Sequence, residues 1–233
     1  MNEIAQIRKL SIWIFFIPLI AINFCLFISQ NYEFLNDTFF SVDQLGRSAF
    51  SIPYLDGSLS ISRASRTFPQ YLIFKPAMII TAIILYNYWK NNNVLVNKYK
   101  LTNINYKFKT FGVLSAIFLA IHSIFLGIKF DIQIYKLMRR VVLLLFIIFE
   151  LIAQGILVYH FFKIREKIKN LINKKVLFLK ALLVSILTLV AVLSLPILVS
   201  KGNTHFKHAL EWNYFVGVIL FYLFTRLFWK RTT

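Results

Sequence analysis

Apolar positions gather in long blocks, with short polar connections between them. Six such blocks stand at about 10–30, 69–89, 109–128, 139–161, 176–200 and 208–229. Each is close to the ~20 apolar residues that a helix needs to cross a bilayer. The pattern predicts an all-α integral membrane protein. It is a six-transmembrane-helix bundle with a long first extracytoplasmic loop, folded as a single membrane domain over 1–233. The first block follows Arg8 and Lys9, as a secretory signal would. It outruns an h-region, and no small-residue cleavage site follows near Ser29 and Gln30, so a retained helix is expected.

Composition strengthens the membrane reading. Apolar residues make up 58% of the chain, against ~45–50% in soluble domains. The single cysteine, Cys25, lies within the first block, so there is neither a disulfide framework nor a thiolate metal site. The net charge of +18 suggests nucleic acid until its distribution is read. With the N-terminus in the cytoplasm, most basic residues fall on that side: Arg8 and Lys9, the lysines between Lys90 and Lys109, those between Lys163 and Lys175, then Arg226, Lys230 and Arg231. That asymmetry predicts cytoplasmic N- and C-termini in a plasma or bacterial inner membrane. Anionic lipid headgroups account for the charge, and no nucleic-acid partner is expected.

The connections differ in kind. "KIREKIKNLINKK" predicts a short basic helix on the membrane surface. Residues 31–68 form the longest connection and the most acidic one, with Glu33, Asp37, Asp43 and Asp56. Loops beyond ~12–15 residues usually carry function or disorder. Its end, "DGSLSISRASR", joins an Asp-Gly turn to hydroxyls and two arginines, a set suited to phosphate oxygens. Trp89 and Trp229 are expected at the cytoplasmic boundary and Trp212 at the outer one.

Ionisable groups inside the blocks need explanations, because each costs ~2.5–3.5 kcal/mol on insertion scales. Lys75, His122, Glu150 and Glu211 all fall between the midplane and the outer face on this topology. They read either as an ion-pair network, Lys75 with Glu150 or Glu211, or as the floor of a polar cavity. Gln154 shares a helix face with Glu150. Lys180, Arg226 and His160 lie near cytoplasmic ends, where snorkelling accounts for them. In "HFKHALEW", His205, His208 and Glu211 recur every three residues along one side of a helix. With His122 they form an alternative zinc site, whose bound water would attack a lipid amide or ester.

The segments "IPYLDGS", "FPQYLIFKP" and the "EW" that opens the last block resemble the six-span DRAM, FRAG and SFK group. That group includes autophagy modulators, GPI lipid-remodelling proteins and bacterial members. The resemblance implies lipid handling or regulation at a membrane. The combined expectation is a protein that binds, senses or helps remodel lipid at the outer leaflet, without a cofactor. Asp56, Ser58, Ser60, Arg63 and Arg66 contact the headgroup, above Lys75, His122, Glu150 and Glu211. Two rivals stand beside it: a metal-dependent lipid hydrolase using His122, His205, His208 and Glu211, and a small proton-coupled transporter using Glu150.

Overall fold

The computed structural model describes residues 2–99, 107–128, 133–200 and 202–230. Lys100, Lys129, Lys201 and Arg231, which enter the charge asymmetry, lie outside the described residues. The fold is all-α, with eight α-helices among those residues. Six are long: α1 (Asn2–Gln30), α4 (Tyr71–Tyr99), α5 (Phe108–Phe125), α6 (Gln133–Ile164), α7 (Lys174–Val199) and α8 (Thr204–Phe228). Two are short, α2 (Pro53–Asp56) and α3 (Ile61–Ser65), and both sit in the long loop.

The long helices close into a ring. Each packs on its neighbour in the order α1, α4, α5, α6, α7, α8, and α8 returns to α1. Two apolar layers fill the ring. At one end, the base, Ile4 and Ile7 of α1 join Trp89, Phe108, Phe161, Ile172 and Phe228. At the other, the cap, Ala21, Cys25 and Leu26 of α1 join Leu59, Ile61, Ala64 of the long loop and Trp212. The start of α1 and the end of α8 therefore share the base. There, Asn173 N–H donates to the Phe228 carbonyl and Lys230 N–H to the Leu171 carbonyl, both at 2.8 Å. This clasp ties the end of α8 to the turn before α7.

Among the described residues, five helices are long and apolar enough to cross a membrane, at Glu3–Gln30, Tyr71–Tyr99, Phe108–Phe125, Leu137–Ile164 and Lys174–Leu198. Their outward faces are apolar, as with Phe178, Leu189 and Leu193 on α7, all largely exposed. In water such a surface would drive association. Against lipid chains it is at rest, and the backbone within each helix satisfies its own hydrogen bonds. The protein is thus an apolar multi-helix membrane protein.

The expected six spans are corrected to five, and the six-span likeness to the DRAM, FRAG and SFK group loses its topological half. The helix that falls short is α8. It carries His205, Lys207, His208 and Glu211 in its first turns and Arg226 in its last. Its polar side chains serve the loop and the ring interior, so its composition is that of a protein-facing helix.

Other expectations change too. Trp89, Trp212 and Trp229 are fully buried in the protein and do not sit at the lipid boundary. The basic stretch after α6 is a compact turn anchored by buried Ile168, not a surface helix. Close approach explains two glycines. A Cβ at Gly112 would enter the Trp89 ring, and one at Gly217 would strike Leu187.

Candidate functional site

The polar stretch of the long loop folds back on α8. Asp56 makes its turn: its carboxylate accepts from Ile52 N–H at 2.9 Å and from Ser58 N–H at 2.8 Å. Those backbone donors hold Asp56 below the usual carboxylate range, the Ser58 amide most of all. Gly57 ends α2 with φ of +60°, the left-handed region that favours glycine. A side chain there would also collide with the carbonyl of His205. Ser60 is buried and caps α3, accepting from Arg63 N–H at 3.2 Å.

One side of α8 reads the backbone of that loop. His205 Nδ1 lies 3.2 Å from the Asp56 carbonyl, and His208 Nδ1 lies 2.9 Å from the Gly57 carbonyl. Trp212 Nε1 donates to the Leu59 carbonyl at 2.7 Å, and Asn213 Nδ2 to the Tyr54 carbonyl at 2.7 Å. Glu211 faces the backbone N–H groups of Ser62 and Ile61. Carbonyl oxygens only accept, so both imidazoles carry their proton on Nδ1. Burial keeps His208 below the usual imidazole range.

This arrangement replaces the alternative zinc site. The regular spacing of His205, His208 and Glu211 is real, but it faces peptide groups. His122 lies on α5 beside Arg139. Among the described residues, no three His, Cys, Asp or Glu side chains gather to hold a metal ion.

Arg63 and Arg66 stand at the edge of the cap. Arg63 is exposed and Arg66 half-buried. The turn after α5 packs on them: a Cβ at Gly127, whose φ is +84°, would press on the Arg66 carbonyl. Arg139 of α6 lies close enough to act on Arg66 electrostatically. Burial lowers Arg66 from the usual guanidinium range, and the like charges of Arg139 and Arg63 lower it further. The ion pairs among the described residues are surface pairs at Glu166, with Arg165 and Lys174. Among the described residues, none of the three arginines pairs with a carboxylate. Sequence reasoning missed Arg139, because nothing in its own neighbourhood links it to a loop some 70 residues earlier. Asp56 and Ser58, with His205, Ser48 and Ser51, line an open cleft of ≈ 430 Å³ next to the first turn of α8.

The remaining expected site residues separate. Lys75 lies over the Tyr71 ring, its Nζ 5.4 Å from the centroid, and meets neither Glu150 nor Glu211. Glu150 is in the ring interior, 1% exposed. It contacts Ser115 Oγ at 2.6 Å, Gln154 Nε2 at 2.9 Å, and the Tyr222 hydroxyl. Lys180 was expected to snorkel. It is instead fully buried, with Nζ donating to Thr225 Oγ1 at 2.6 Å. Nζ also lies 3.9 Å from the Phe221 ring centroid, with Phe228 and Phe161 beyond. Tyr88 and Tyr222 meet edge-to-face between these two groups, and the Tyr88 hydroxyl lies 3.1 Å from Thr225 Oγ1.

No protein-family model matches the chain, and neither a curated protein nor a solved structure matches it.

Proposed function

We propose that the protein binds an anionic lipid headgroup at the cap of the ring, with the phosphate on Arg63, Arg66 and Arg139. The observation that carries this reading is that half-buried Arg66 feels the like charges of Arg139 and Arg63, while none of the three pairs with a carboxylate among the described residues. Like charges repel, so the cluster is more stable with an anion bound than without one. Guanidinium suits phosphate because its fixed fork makes paired hydrogen bonds. The cap is also built to hold these residues still. Ser60 caps the short helix that bears Arg63, and α8 grips the loop that leads into it. Asp56, Ser58 and Ser60 act as positioning residues for that helix and turn.

The basic residues of the base support an orientation in which the cap faces away from the cytoplasm. A cysteine probe placed at Asp43 is then labelled from outside, while one at Lys98 is protected. Labelling of Lys98 alone overturns the orientation.

Lipid retention through purification tests the site. Native mass spectrometry of the wild type should find bound anionic phospholipid. Replacing Arg63, Arg66 and Arg139 with glutamine should remove it, with helicity unchanged. Equal retention by the triple variant defeats the reading.

A further inference from the structure

Two ionisable side chains play no part in the headgroup site, Glu150 and Lys180. Both are closed off from solvent, and each lacks a directly paired opposite charge. Ionisable groups this deep in a membrane protein are rare and costly, which makes a functional reading the default. The surroundings of each group say what that function is.

The Glu150 pocket can be read by counting hydrogens. Ser115 has one hydroxyl hydrogen and two partners, the Gly112 carbonyl at 2.8 Å and Glu150 Oε2 at 2.6 Å. With Glu150 ionised, that hydrogen points at Oε2. With Glu150 protonated, the carboxylic O–H donates to Ser115 Oγ, and Ser115 turns its own hydrogen to the Gly112 carbonyl. Gln154 and Tyr222 keep donating to Oε1 in either state. Both protonation states are therefore fully hydrogen-bonded, and no heavy atom has to move between them.

Lys180 is surrounded differently. Thr225 gives its only hydroxyl hydrogen to the Phe221 carbonyl at 3.0 Å, so its oxygen is left to accept from Lys180 and from Tyr88. The other face of the ammonium is covered by aromatic rings, which attract a cation but offer no place for a proton to go. The Glu150 pocket accommodates two protonation states, whereas the Lys180 pocket offers one hydroxyl acceptor and no second hydrogen-bond arrangement.

We propose that Glu150 is a reversible proton-binding site in the interior of the ring. The step balances simply. One proton from water adds to Glu150 Oε2, the Ser115 hydroxyl turns to Gly112, and the side chain goes from one negative charge to none. The groups facing the pair are Tyr88 and Trp89 from α4, Ser115 from α5, Gln154 and, nearer the base, His160 from α6, and Tyr222 and Thr225 from α8. From α1, Arg8 is the charged residue on the base side. No second carboxylate lies among them, so a proton entering this core has one carboxylate to reach.

Infrared difference spectroscopy on the full chain in lipid tests this directly. Acidification should raise a buried carboxylic-acid band in the wild type, and Glu150→Gln should abolish it. Lys180→Met leaves every hydrogen-bond partner of Glu150 in place, so the band should still titrate. Ser115→Ala keeps both charges and removes the hydroxyl that adjusts to them; its titration should shift while the fold is unchanged, which separates proton binding from packing. A wild-type band at Glu150 that does not change with pH overturns the proposal. So does a titration indifferent to Ser115→Ala.

Discussion

Trp212 Nε1 donates to the carbonyl oxygen of Leu59 at 2.7 Å, joining positions 153 residues apart. Both residues are buried in the cap layer, so this hydrogen bond has no water to replace it. It also fixes the height of the long loop against α8, and with it the position of Arg63 one turn further on. Replacing Trp212 with Phe keeps most of the ring volume and removes the donor. A stability loss of about 1–3 kcal/mol is expected for the stranded carbonyl. Amide exchange across 53–66 should speed up, while exchange in α6 stays as it was.

Gly57 gives a sharper test of the same contact. Alanine there meets two obstacles, the left-handed φ and the His205 carbonyl. Gly202 has φ of +91° but open space around it, so it isolates the first obstacle. Gly57→Ala should cost several-fold more stability than Gly202→Ala, which should cost about 1 kcal/mol. Unfolding of both variants in the same detergent gives the comparison.

Lys75 and Glu150 should behave independently. Lys75 stacks on Tyr71 and Glu150 is enclosed by Ser115, Gln154 and Tyr222. Lys75→Met and Glu150→Gln are expected to add within about 0.5 kcal/mol. A coupling beyond that in the double variant would restore the ion pair that the sequence suggests.

The Asp56 turn sets a pH dependence. Its carboxyl lies below the usual range when folded, so it stabilises the folded loop above its unfolded value. That contribution is lost as pH falls through the lower folded value. Acid should therefore loosen 52–58, as seen by fluorescence from a probe at Leu55, and Asp56→Asn should flatten the response.

Gly112 predicts how tightly α4 and α5 are joined. A methyl group there would enter the Trp89 ring, which is itself fully buried. Gly112→Ala should cost about 1–3 kcal/mol through overpacking, measured by thermal unfolding in detergent. Gly155, whose Cβ would make an ordinary contact with Val184, should accept alanine with little change.

The apolar blocks made the long helices legible, because burial against lipid or protein demands the same side chains. Their extension was less so. α4 runs on to Tyr99, past its apolar block, since Asn91 to Asn93 sit in a helix that has already left the lipid-like stretch. The pairing of Glu150 with Gln154 was visible because both stand four apart on one helix. Ser115 and Tyr222 were not, being unremarkable neutral residues on other helices. Lys180 was misjudged for a related reason. A lysine near a helix end reaches water or the interior with equal ease, and the rings of Phe161, Phe221 and Phe228 that enclose it come from two other helices. The spacing of His205, His208 and Glu211 was also legible. Its target was not, because peptide carbonyls are the same at every position of a sequence.

The ring interior has a consequence for how the protein is made. Thr225, Phe221 and Tyr222 all come from α8, which leaves the ribosome after α6 and α7. When α7 enters the membrane, Lys180 has neither its hydroxyl acceptor nor its nearest aromatic face, and Glu150 lacks one of its donors. A chain halted before α8 leaves Lys180 without its hydroxyl acceptor and Glu150 short of one donor. Arrival of α8 supplies both, and the Ile172–Trp229 bridge ties its end to the turn before α7.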